Sequence, residues 1–191
     1  MELNEAIERF KKTVFTPTKF FESIQNESNW TELLLYYLYC TAISIPLQLI
    51  VFLFYVLIFP TPEVVQAVST SGMASISILA LTFIILNAAV GYFLMLLLIA
   101  VFHLFALIFG GRGIYKTFQA FIYALALPLV LSALPLINVF TAFMAFYYAY
   151  IGLKVLHKMS WWRALLAGIV FPMLFLLVVA SVVSQSVAAA L

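Results

Sequence analysis

Charge is what this sequence has least of. Only 8% of its 191 residues are Asp, Glu, Lys or Arg, against about 25% in ordinary soluble domains. Cysteine is nearly absent as well. The single Cys40 excludes an internal disulfide and a paired-cysteine metal or redox site, and its place inside an apolar run makes it a packing residue. The opening residues do not read as a secretory leader, because Glu2, Glu5 and Glu8 precede any apolar core. The long apolar runs hold no Asp, Lys or Arg at mid-depth, which argues against a coupled pump or an ion channel, since both mark their paths with intramembrane charge. There are two histidines, His103 and His157, and neither HxxH nor HExxH, so no metal site is expected. No nucleophile, base or metal constellation stands out, so the sequence predicts neither an enzyme nor a cofactor. The net charge of +2 is too small to point to nucleic acid.

What is present is apolar surface. The chain is 66% hydrophobic with a mean hydropathy of +1.19. A globule of this length could not hide so much from water, and several uncharged runs exceed the roughly 18 residues expected of a bilayer-crossing helix. The class is an all-α, polytopic integral membrane protein, a bundle of five transmembrane helices preceded by a short amphipathic cytoplasmic segment. The expected division is residues 1–28 for that segment and 29–191 for the membrane domain.

In the first segment Leu3, Ile7, Phe10 and Val14 recur at the spacing of one helical stripe, with Arg9, Lys11 and Lys12 on or beside the polar flank. Two settings suit such a helix: the membrane interface, or a seat on the protein's own cytoplasmic loops. Thr16-Pro17 reads as an N-cap and first helical residue, leading into Thr18–Ile24 with Phe20 and Phe21. Asn29 and Glu32 have capping-box spacing, and Trp30 beside them is an interface anchor.

The expected spans are about 31–59, 75–109, 117–133, 137–155 and 161–184. Pro46 interrupts the first and frees a backbone carbonyl that Gln48 is placed to satisfy. Pro60-Thr61-Pro62 stops it, and residues 60–74 read as a loop. The second run, about 52 Å long as one helix, is either a single tilted crossing or two short ones broken near Asn87–Gly91. With one crossing, all nine Lys and Arg residues share a side, and the positive-inside rule makes that side cytoplasmic. The N-terminus is then inside and the C-terminus outside. A tight turn around Pro135 and Asn138 joins the third and fourth spans, and Ser160 caps the fifth, where Trp161, Trp162 and Pro172 follow.

Between the second and third spans lies Gly110-Gly111-Arg112-Gly113-Ile114-Tyr115-Lys116-Thr117. It has neither P-loop nor GxGxxG spacing and no strand before it, so a helix C-cap and tight turn is the expected role rather than a phosphate cradle. Arg112 and Lys116, with Lys154, Lys158 and Arg163 across the next loop, are candidate contacts for lipid headgroups. Gln48, Asn87 and His103 are candidate polar residues of a groove between proline-bent helices, the feature a small-molecule or lipid transporter needs. Asn87 with Gly91, Ala145 with Ala149, and Ala164 with Gly168 have spacings that seat helices against one another or against a second copy.

These residues resemble a known family. Gly110-Gly111-x-Gly113, Lys116-Thr117-Phe118, Tyr123-Ala124 and Pro128, then Ile151-Gly152-Leu153, His157, Ser160, Ala164 and Pro172, resemble the pattern of the Yip1 domain family, and Pro17 with Phe20-Phe21 resembles its N-terminal part. The resemblance implies a non-enzymatic multi-pass membrane scaffold. Eukaryotic members are associated with vesicle traffic, small prenylated GTPases and membrane shaping. The brief N-terminal region is similar to compact prokaryotic members, which implies a cell-membrane location. The partners expected are membrane lipids, other membrane proteins or a second copy of the chain.

Overall fold

A computed structural model describes residues 1–59, 61–131 and 134–190. Among them the chain is helical, joined by short turns. Helices α1 (Leu3–Phe15) and α2 (Pro17–Ser23) precede α3 (Trp30–Ile58), α4 (Pro62–Ile108), α5 (Ile114–Leu131), α6 (Pro135–Leu156), α7 (Trp161–Leu165) and α8 (Phe171–Ala190). Residues Leu166–Val170 form a π turn that joins α7 to α8. Among the described residues five stretches are long and apolar enough to cross a membrane: Trp30–Ile58, Val68–Ile108, Ile114–Leu131, Val139–Leu156 and Trp161–Gln185. The five-helix membrane class read from composition is the class observed.

Local chemistry sets the helix ends. Asn29 caps α3, its side-chain oxygen accepting the Glu32 N–H at 3.2 Å. Thr16 stands at the cap position of α2 with Pro17 next, but its hydroxyl turns back to the Lys12 carbonyl of α1 at 3.2 Å. Pro135 opens α6 as a first-turn proline, so the segment expected as a tight turn is already helical, two residues before the expected start of the span. The π turn falls just before Pro172, where an α-helical carbonyl at Gly168 would meet the proline ring.

One expectation needs correction. Residues 62–71 are helical rather than a loop, because Pro62 starts a helix that carries an apolar run; the interruption comes later, at Gly72, with φ 76° and ψ 153°. From there α4 runs without a break through Asn87 and Gly91 to Ile108, so the second run is one helix. Pro60, which begins the predicted helix stop, and Ala133, the predicted end of the third span, lie outside the described residues.

Helix α5 is the centre of the bundle. Every residue from Thr117 to Ala124 is buried, because α3, α4 and α6 surround it. Gly152 makes the α5–α6 approach possible: a Cβ there would lie 2.8 Å from the Ala120 Cβ. Gly168 lies against Tyr150 and Leu153 of α6, and Ala145, Ala149 and Ala164 are buried, so these small residues seat helices of the same chain. The outer faces remain apolar, as Phe83, Phe93 and Leu97 show.

Helix α1 has three faces. Ala6 and Thr13 are buried against the bundle, with Arg9 between them. Leu3, Ile7 and Phe15 stay exposed, suited to the acyl boundary, and Glu8 and Lys12 point away. Of the two settings read from the sequence, the seat on the protein itself is the one observed, with α1 packed on α2, α3 and α5. Arg9, placed by the periodicity with the polar flank, instead turns inward.

Candidate functional site

The start of α3, the end of α4, the start of α5 and the turn from α6 to α7 meet at one end of the bundle, and α1 and α2 cover it. Two helix C-termini interlock there. Helix α4 closes with Gly110 N–H on the Leu107 carbonyl (3.0 Å) and Gly111 N–H on the Ala106 carbonyl (2.7 Å), a Schellman cap with Gly110 at φ 91°. Helix α6 closes the same way, with Lys158 N–H on Val155 O (3.3 Å) and Met159 N–H on Lys154 O (3.1 Å). The Met159 methyl fills the space above Gly111, where a Cβ would come within 2.7 Å of it. The glycine-rich loop is thus a cap and close contact, as its spacing predicts.

A polar chain, exposed at Arg112 and buried at His103, ties the two caps together. The Arg112 N–H donates to His157 Nδ1 at 3.0 Å, so this nitrogen is unprotonated and the neutral ring carries its proton on Nε2. Nε2 lies 3.1 Å from the Thr117 hydroxyl, which lies 2.8 Å from His103 Nδ1. The proton on Nε2 goes to Thr117, and the Thr117 hydroxyl is then free to donate to His103. Burial pushes the His157 pKa down to about 4, against the opposing contact with the Arg112 backbone, and the charge of Lys116 acts in the same direction as burial. His157 is therefore a neutral latch between the loop and α6.

Arg9 ties α1 to the bundle. Its guanidinium donates to Glu27 at 2.7 Å, to Glu5 at 2.9 Å and to the Tyr123 hydroxyl at 2.8 Å, with Glu32 at 3.5 Å. Burial opposes its charge, but the bonds to Glu27, Tyr123 and Glu5 outweigh that cost and raise its pKa. The Tyr123 ring packs on Phe20 (4.8 Å) and Tyr36 (4.5 Å). Tyr123 is thus the peg on which the N-terminal segment hangs. No sequence signal marked this pair, because the partners are 114 residues apart.

Arg112, Lys154, Lys158 and Arg163 are exposed at this end and Lys116 is half-buried. All four salt bridges lie within the first 32 residues, so none of these five cations has a carboxylate partner among the described residues. The Arg163 guanidinium lies 5.2 Å from the Trp162 ring centre. Trp30, stacked edge-on against Tyr115 and Phe118, and the exposed Trp161 and Trp162 complete an aromatic rim at the same end.

The candidate groove residues do not come together. His103 is committed to Thr117, whereas Asn87 lies sixteen residues earlier on α4, about 24 Å away, exposed, with its amide on the Phe83 carbonyl. The Gln48 amide donates to the Ser44 hydroxyl on its own helix. The recess beside Pro128, about 270 Å³ in volume, is lined by apolar side chains such as Phe102, Phe121, Phe146 and Leu176. Among the described residues no three His, Cys, Asp or Glu side chains gather as a metal site.

Neither the curated proteins nor the solved structures compared with the chain include a match to it. The sequence model of the Yip1 domain matches residues 11–182, from within α1 to past the middle of α8. With that match over nearly the whole chain, this multi-pass membrane protein belongs to the Yip1 domain family.

Proposed function

We propose that the chain is a non-enzymatic scaffold of the Yip1 type, with its N-terminus and basic end in the cytoplasm and its C-terminus outside. That end engages anionic lipid headgroups and holds protein partners or a second copy of the chain at the membrane surface. The observation that supports this most is the set of five cations without carboxylate partners, ringed by three tryptophans at one end of the bundle. Each cation near an anionic surface is worth about 1 kcal/mol, so five together make a substantial bias toward such a surface. A polar substrate path would need side chains that converge at mid-depth, and Gln48, Asn87 and His103 are spread over two helices.

The test is a titration of the detergent-purified chain with phosphatidylglycerol, beside a variant in which Arg112, Lys116, Lys154, Lys158 and Arg163 are all glutamine. Strong binding by the parent and weak binding by the variant is expected. Equal binding by the two refutes the reading.

A further inference from the structure

The turn after α6 contains an anomaly. Lys158 occupies the left-handed position of its Schellman cap at φ 53°, the one non-glycine residue with positive φ among those described. Glycine favours that position, as at Gly110 in the neighbouring cap, and an L-residue there is disfavoured. A lysine held in this conformation costs stability that glycine would not, so its ammonium has a use elsewhere.

That use is visible in a cleft of about 660 Å³ between α2 and α6, lined by Thr18 and Glu22 on one wall and by Tyr147, Tyr150, Lys154 and Lys158 on the other. Gln25 closes one edge by donating to the Val155 carbonyl at 2.8 Å. Glu22 faces the same space as two lysines, yet none of the salt bridges joins them. Opposite charges that line one cleft without pairing leave room for something between them. The tyrosines lie one to two turns deeper along α6 than Lys154, toward the membrane interior, so the cleft leads from the charged end down to the acyl region.

We infer that this cleft seats the headgroup of an anionic phosphodiester lipid whose alcohol carries free hydroxyls. The phosphate lies between Lys154 and Lys158, and the hydroxyls donate to Glu22. The lining side chains carry a net charge of +1, which a phosphodiester at −1 neutralises, whereas a zwitterionic headgroup leaves it uncompensated. The inference rests on the anionic-lipid reading above and narrows it to one place and one headgroup chemistry.

The test compares phosphatidylglycerol with phosphatidylmethanol, which has the same charge and no hydroxyl, on the purified full chain. The parent should prefer phosphatidylglycerol. Lys158→Gly should lower phosphatidylglycerol affinity about fivefold, the worth of one cation at a membrane surface, while the melting temperature stays level or rises. Glu22→Gln should shrink the preference between the two lipids. If both lipids bind equally and Lys158→Gly binds like the parent, while the five-glutamine variant loses binding, the cleft is overturned and the broader reading stands. If the parent binds no anionic lipid at all, both fall.

Discussion

The backbone N–H of Arg112 donates to Nδ1 of His157 at 3.0 Å, although 45 residues separate them. One hydrogen bond thereby joins the loop after α4 to the turn after α6, and it exists only while the imidazole is neutral. His157, Thr117 and the glycine loop, which carry part of the family pattern, are in this way one structural device, with His103 joined to it through Thr117.

A pH dependence follows from that neutrality. The folded His157 pKa is about 4, below the ordinary imidazole value of 6.5, so between these values the unfolded chain binds more protons than the folded one. Stability is therefore full above about pH 6.5 and is lost as pH falls toward 4, with an upper bound on the order of 3 kcal/mol. Melting temperatures of the parent and of His157→Gln, measured across that window, should diverge at neutral pH and converge in acid. Parallel curves would show that the latch does not titrate.

Arg9 should matter far more than the lysines beside it. Removing its guanidinium leaves Glu27 and the Tyr123 hydroxyl short of a partner, and because Glu27 is partly exposed the loss is about 1–2 kcal/mol. Arg9→Ala should lower the melting temperature clearly, Lys12→Ala hardly at all, and Arg9→Lys should recover only part, lacking the fork that reaches several oxygens. Equal effects of Arg9→Ala and Lys12→Ala would mean that α1 is not pinned.

The α5–α6 approach gives a steric prediction. Gly152→Ala places a methyl 2.8 Å from the Ala120 Cβ and 3.0 Å from the Phe21 ring, and overpacking of this kind costs about 1–3 kcal/mol. Ala120→Gly in the same chain should restore part of the loss, because it removes the nearest atom. A neutral Gly152→Ala would show that the helices lie farther apart.

What could be read from the sequence was what depends on neighbours along the chain. Apolar run length gave the five-helix class, Asn29 with Glu32 gave the start of α3, and Gly110-Gly111 gave the cap of α4. Residues 62–71 misled because Pro62, read as part of a helix stop, instead opens the next helix. Arg9 was hidden for another reason: its local stripe favours the water side, and only Tyr123, far along the chain, draws it inward. The conformation of Lys158 was equally hidden, since nothing in the residue types says that a lysine will stand where glycine is preferred. The cleft between α2 and α6 depends on how two distant segments dock, which periodicity does not encode.

The most direct test of the account is which side of the membrane its basic end faces. Single cysteines on a Cys40→Ser background, at Asn4, Ser71, Ser160 and Ala190, can be labelled in intact cells with a reagent that does not cross the membrane. Five crossings with the basic end inside predict labelling at Ser71 and Ala190 and protection at Asn4 and Ser160 until the cells are opened. Labelling of Ser160 from outside would place the five cations away from the cytoplasmic lipids and contradict the account.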